Sequence, residues 1–200
     1  MKPYLWKTDT IRFYDTTYPL FLYYDIVLDC FQISARQDLD DWTKIDIVLE
    51  ILTRRNHKAM RLPANIRQEL HNEIFKQKIN LNKRKGKAGP RTVDLIADFD
   101  LIYASFMQAY HIDLYEQRGL LSWPRFFDLF QGLPEDTKIR EVMGIRGRDI
   151  PSPTKYNQKT IQNLIELKQY WALPPTPGME TNYQEQIELL FRSIKNMYGR

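Results

Sequence analysis

The chain has 200 residues, 43% hydrophobic and 13% aromatic, with 29 Lys+Arg against 25 Asp+Glu and a formal net charge of +4. That is one domain's worth of chain with enough apolar material for a core, which excludes a disordered, collagen-like or low-complexity protein, and the charge is too weak to require a nucleic-acid partner. Its single cysteine, Cys30, forms no intramolecular disulfide and suits a reducing or indifferent compartment, and no stretch approaches a signal region or the roughly 20 apolar residues a bilayer demands, so a soluble, unsecreted chain is expected.

In chain order, Ile11–Leu20 mixes β-formers with a polar centre at Asp15-Thr16 and predicts a short hairpin or extended arm. Leu22, Ile26 and Val27 recur at helical spacing towards Phe31. Within Ser34–Asp41, Asp38 is expected to cap a second helix, with Asp40 and Asp41 at its positive end, and Trp42, Ile45, Leu49 and Leu52 follow on one face. Arg54–Leu62 reads as a polar break. Pro63 suits the first position of a helix striped by Ile66, Leu70 and Ile74. From Lys76 to Arg91 seven cations occur without an acid, closing on Gly86, Gly89 and Pro90, which predicts a mobile basic loop over 76–91.

Leu101–Tyr110 carries no formal charge and has apolar groups on nearly every face, so a helix buried on most sides is expected. Ser122 looks like an N-cap for an aromatic stripe of Trp123, Phe126, Phe127 and Phe130, read as core, with Gly132 ending that helix. Ile139, Val142 and Met143 face inward on the next, with Arg140, Arg146 and Arg148 near its negative end. Ile161, Leu164, Ile165 and Trp171 mark a further helix, before a stiff Pro174–Gly178 run. The expected architecture is all-α or nearly so. It comprises a single compact helical domain of about seven helices over 1–173, a short N-terminal β-hairpin, a Pro-rich linker over 174–179 and an amphipathic helix over 180–200.

Catalytic signatures are missing: there is no phosphate-binding glycine loop, no Gly-x-Ser-x-Gly and no His-Glu-x-x-His. His57, His71 and His111 fall on separate segments without a second ligand at metal spacing, and Cys30 reads as a small core residue. Asp94, Asp98 and Asp100 could bind a divalent cation, but capping and dipole complementation ahead of an apolar helix is the stronger reading; Asp113 has no visible partner. No enzyme activity, metal or cofactor is therefore expected. Lys83, Arg84, Lys85 and Lys87 could track phosphates, but the stretch lacks stacking aromatics and a solvated loop is favoured. Tyr183, Ile187, Leu190, Phe191 and Ile194 form an amphipathic face that can dock on its own domain or on another chain.

The run Phe99–Phe106, then Tyr110, Ile112-Asp113-Leu114, Trp123, Phe126, Gly132–Lys138 and Ile145-Arg146 resembles a family of bacteriophage proteins labelled gp-fifteen. The resemblance extends over most of the chain, ending near Ala172-Leu173-Pro174. It departs at His111, where a Gly is expected, and at Pro124, where a second aromatic is usual. The resemblance implies a gene between those of the major tail protein and the tape-measure protein of long-tailed phages, and a non-enzymatic tail assembly chaperone. Its expected partner is the tape-measure protein, with itself or a shorter tail chaperone as further partners, and its expected place is the host cytoplasm, with no membrane and no nucleic acid. The alternative is a virion structural protein or a nucleic-acid-binding module using the basic loop.

Overall fold

A computed structural model describes residues 9–80, 90–154 and 156–174. The chain divides into two compact units, residues 1–150 and 151–200.

The first unit opens with strands β1 (Asp9–Phe13) and β2 (Thr16–Leu20), antiparallel with Ile11 opposite Tyr18. Alternation decides which face is covered: Ile11, Tyr18 and Leu20 are buried while Thr10 and Arg12 point out. Tyr14 adopts the left-handed region (φ 49°) in the two-residue turn, and its hydroxyl donates to Glu69 at 2.9 Å. The Phe21 N–H donates to Leu52 O at 2.9 Å, and Arg54 lies 4.0 Å over the Phe21 ring, so the end of the hairpin is tied to the next helical layer.

That layer is α1 (Tyr24–Ala35), α2 (Asp41–Thr53), the short α3 (His57–Met60) and α4 (Ala64–Ile74). Helix α1 packs on α2, and α2 on α4. The cap of α2 is Asp40 rather than Asp38: its carboxylate accepts the Thr43 N–H at 3.0 Å, while Asp38 pairs with Arg36. Ile45, Val48, Leu49 and Leu52 are buried, but Trp42, one turn ahead of them, is half exposed. The polar break after α2 contains α3, capped by Asn56 and anchored by buried Ala59. Arg67 of α4 grips Asp46 of α2 through two bonds of 2.6 and 2.9 Å.

The stretch expected as a basic loop over 76–91 begins in helix, and its residues 81–89 lie outside the described residues. Residues Phe75–Ile79 continue α4 as one π-helical turn, closed by Asn80 N–H to Phe75 O at 2.7 Å. Lys76 and Lys78 are on this turn, paired with Glu73 and Asp9. The indole N–H of buried Trp123 donates to Ile79 O at 2.9 Å, fixing the end of the turn to the core.

Helices α5 (Phe99–Tyr110), α6 (Trp123–Gln131) and α7 (Lys138–Gly147) complete the unit. Helix α5 buries only one side, through Ile102, Ser105 and Phe106; Ala104, Met107 and Gln108 are exposed, because small and uncharged residues can face water as readily as the core. Ser122 occupies the N-cap position of α6 without a side-chain bond there. Instead its neighbours link to the start of α1: Tyr24 N–H donates to Leu121 O (3.0 Å) and Trp123 N–H to Leu22 O (2.7 Å). Pro124 fits the first turn of α6, where no intrahelical N–H bond is lost.

The aromatic stripe is core, as expected. Phe126 is fully buried at the centre of a column, stacked on Tyr24 (5.1 Å), Phe106 (5.3 Å) and Trp123 (5.6 Å), with Phe31 edge-on to Trp123. The second unit contains α8 (Gln158–Tyr170), in which Ile161, Leu164 and Ile165 are buried. Eight α-helices and one hairpin among the described residues make this a nearly all-α chain.

Candidate interaction surface

The two sets of side chains singled out in the sequence, Tyr183, Ile187, Leu190, Phe191 and Ile194 on one hand and Lys83, Arg84, Lys85 and Lys87 on the other, lie outside the described residues. What the structure describes is the frame on either side of them and the surfaces that frame presents.

The acids ahead of α5 do not converge. Asp94 bends the approach to the helix by accepting the Ile96 and Ala97 N–H groups at 2.8 and 2.9 Å and pairs with Arg91; its carboxyl is held below the usual range by those backbone bonds and Arg91, against the opposing effect of burial. Asp100 is exposed in the first turn. Asp98 caps nothing with its side chain. Its carboxylate, 5% exposed, takes two bonds from Arg146 of α7, 8% exposed, at 2.6 and 2.8 Å, and accepts the Asp94 N–H at 2.9 Å. Arg146 also donates to Thr92 O at 3.0 Å. The sequence expectation that Arg146 complements the α7 dipole misses this long-range pair, which joins residues 48 positions apart. Arg140 similarly reaches Leu133 O and Gln131 O at the end of α6.

The histidines are separate. His57 opens α3; His71 stacks on Phe75 at 4.4 Å and its pKa is lowered by burial; His111 ends α5 in the left-handed region at φ 53°. Cys30 is fully buried and its thiol is pushed up to about 12, first by burial and then by the Asp29 charge. Among the described residues no group of three or more His, Cys, Asp or Glu is placed to hold a metal ion, and no helix is long and apolar enough to cross a membrane.

Exposed apolar groups occur in both units. On α8, Leu167 and Tyr170 line an open depression with Asn163 and Glu166, and Tyr170 is 77% exposed. In the first unit the connection between α5 and α6 carries Tyr115 and Leu120, each 52% exposed. Asp113, without a visible partner in sequence, builds this connection: one oxygen accepts the Tyr115 N–H at 2.8 Å and the other the Tyr103 hydroxyl at 3.4 Å. Tyr115 therefore lies against α5, 5.0 Å from Tyr103 and 5.9 Å from Phe99. Arg118 stands 5.9 Å over the Tyr115 ring. The connection is held to α1 by Gly119 N–H to Asp25 (3.1 Å) and by the buried Tyr24 hydroxyl, which donates to Leu114 O. Burial, then Asp25, pushes that hydroxyl up to about 12. Periodicity could not find this surface, because it is assembled from a helix face and an irregular connection.

Comparison with curated proteins and with solved structures returns no match. A family model described as Bacteriophage Gp15 protein matches residues 8–173. That span takes in the hairpin, the eight α-helices of the described residues and the Asp98–Arg146 pair, and the chain belongs to the bacteriophage Gp15 protein family.

Proposed function

We propose that this phage protein is a non-enzymatic tail assembly chaperone that binds the tape-measure protein in the host cytoplasm before tail-tube subunits polymerise around it. The observation that carries the reading is membership of the bacteriophage family over residues 8–173, joined to the tail-gene position that the resemblance implies. The physical chemistry is compatible. A helical tape-measure chain awaiting assembly presents apolar stripes, and a helical protein with exposed aromatic and aliphatic groups such as Tyr115, Leu120, Leu167 and Tyr170 offers many modest contacts. Modest contacts suit a partner that must later be released to the tube, since affinity follows the quality of a few anchors and not area alone. The stripe Tyr183, Ile187, Leu190, Phe191 and Ile194 supplies the main partner or self-association face in this reading.

Co-expression with the neighbouring tape-measure protein, affinity capture and native mass spectrometry test it. Stoichiometric capture of a soluble tape measure, lost in the Leu190→Ser/Phe191→Ser variant, is the expected result. An insoluble tape measure with this chain recovered alone overturns the reading and favours a virion structural or nucleic-acid role.

A further inference from the structure

On a chain of positive net charge, one described face gathers negative charge around exposed aromatic surface. Asp25 of α1 accepts the Gly119 N–H of the α5–α6 connection at 3.1 Å, Asp113 of that connection accepts the Tyr115 N–H and the Tyr103 hydroxyl, Asp29 lies one turn along α1 from Asp25, and Glu116 directly follows Tyr115; Arg118 is a cation among them. None of the four carboxylates makes an ion pair within 4.0 Å among the described residues. Burial first, and then the Asp25 charge, raise the Asp29 carboxyl above its ordinary value, with Arg118 acting the other way. Leu120, at the end of the same connection, adds an exposed aliphatic group.

Charge decides what can cover such a face. Phosphate backbones and anionic lipid surfaces are repelled where four carboxylates stand against Arg118, whereas Lys or Arg gains twice, from the carboxylates and from the tyrosine ring faces. Arg118 over Tyr115 already displays the second of these contacts within the chain. The aromatic and aliphatic groups supply the apolar anchors that a helix-in-surface contact needs. We infer that Tyr115 and Leu120, with the carboxylates of Asp25 and Asp29 on α1 and of Asp113 and Glu116 on the same connection, dock an amphipathic helix of a partner protein that carries Lys or Arg beside its apolar stripe. The inference does not rest on the tail-assembly reading.

The test titrates the full chain into a fluorescein-labelled Leu/Lys amphipathic peptide about 18 residues long, with a matched Leu/Glu peptide as control, followed by anisotropy. The Leu/Lys peptide saturates, its binding weakens as salt rises, and the Leu/Glu peptide does not bind. Glu116→Lys and Leu120→Ser, both at exposed positions, each weaken binding about 10-fold. Asp41→Lys, beyond the opposite end of α1, leaves it unchanged. Circular dichroism establishes that the variants are folded, and either of the two face variants suffices. Absence of Leu/Lys binding, equal binding of both peptides, or wild-type affinity in Glu116→Lys or Leu120→Ser overturns the inference. So does self-association of the wild-type chain that Leu120→Ser abolishes, which would give the face to a second copy.

Discussion

Replacing Asp98 by Ala strips a guanidinium that is 8% exposed of two charge-assisted bonds, while its bond to Thr92 O remains. A buried charge in that condition costs about 3–5 kcal/mol, roughly a fifth or more of the stability of an ordinary domain. Arg146→Met strands the carboxylate instead and costs a similar amount. The Asp98→Ala/Arg146→Met double variant removes both charges, so what remains is a small cavity and the unmet Asp94 N–H, about 1–3 kcal/mol. The double variant is therefore more stable than either single one, by about 2 kcal/mol. Urea unfolding followed by circular dichroism measures all four corners of the cycle, and thermal midpoints fall by about 6–20 °C in the single variants. Single-variant losses below about 1 kcal/mol, or losses that simply add, refute the reasoning, because they mean that each charge finds water once its partner is gone.

Three further outcomes follow from local geometry. His111→Gly relieves a side chain held at φ 53° and raises stability by about 0.5–1 kcal/mol; a measured loss would show that the imidazole makes a contact worth more than the strain. His71 has its folded pKa lowered by burial, so the folded state favours the neutral ring. Its stabilising contribution is complete above the unfolded value near 6.5 and is lost as pH falls through the folded pKa; His71→Gln flattens the stability curve over that interval, as pH-dependent urea midpoints will register. Cys30, fully buried with its thiol pushed up to about 12, stays unmodified by iodoacetamide at pH 8 in the folded chain and reacts once urea is added, by mass spectrometry.

Periodic features of the chain were legible without coordinates. The hairpin at Ile11–Leu20 rests on β-formers around the polar centre Asp15-Thr16, the stripe Trp123, Phe126, Phe127 and Phe130 on helical spacing, and both stand where those signals place them, with Phe127 partly buried. The Gly expected in place of His111 is explained by the left-handed backbone there, a conformation in which a Cβ is a burden. What spacing could not disclose is pairing across the chain. Asp98 reads locally as a cap and Arg146 as a dipole partner, and only the packing of α5 on α7 brings them together. Charge runs mislead in the same way: Lys76 and Lys78 look like loop residues because their acids, Glu73 and Asp9, lie on other segments of the pattern. Tyr115 and Asp113 belong to an irregular connection, where no period exists to read.

The stretch between the π-helical turn and α5 is gripped at both margins. Trp123 holds Ile79 O on one side and Arg146 holds Thr92 O on the other, each from a different helix of the core. With Ile79 and Thr92 both held from the core, the length of the join is expected to be a nearly neutral variable, since doubling it costs only about 0.6 kcal/mol of closure entropy. An epitope tag inserted there is therefore expected to leave the core intact, which unchanged urea midpoints of the tagged chain would register.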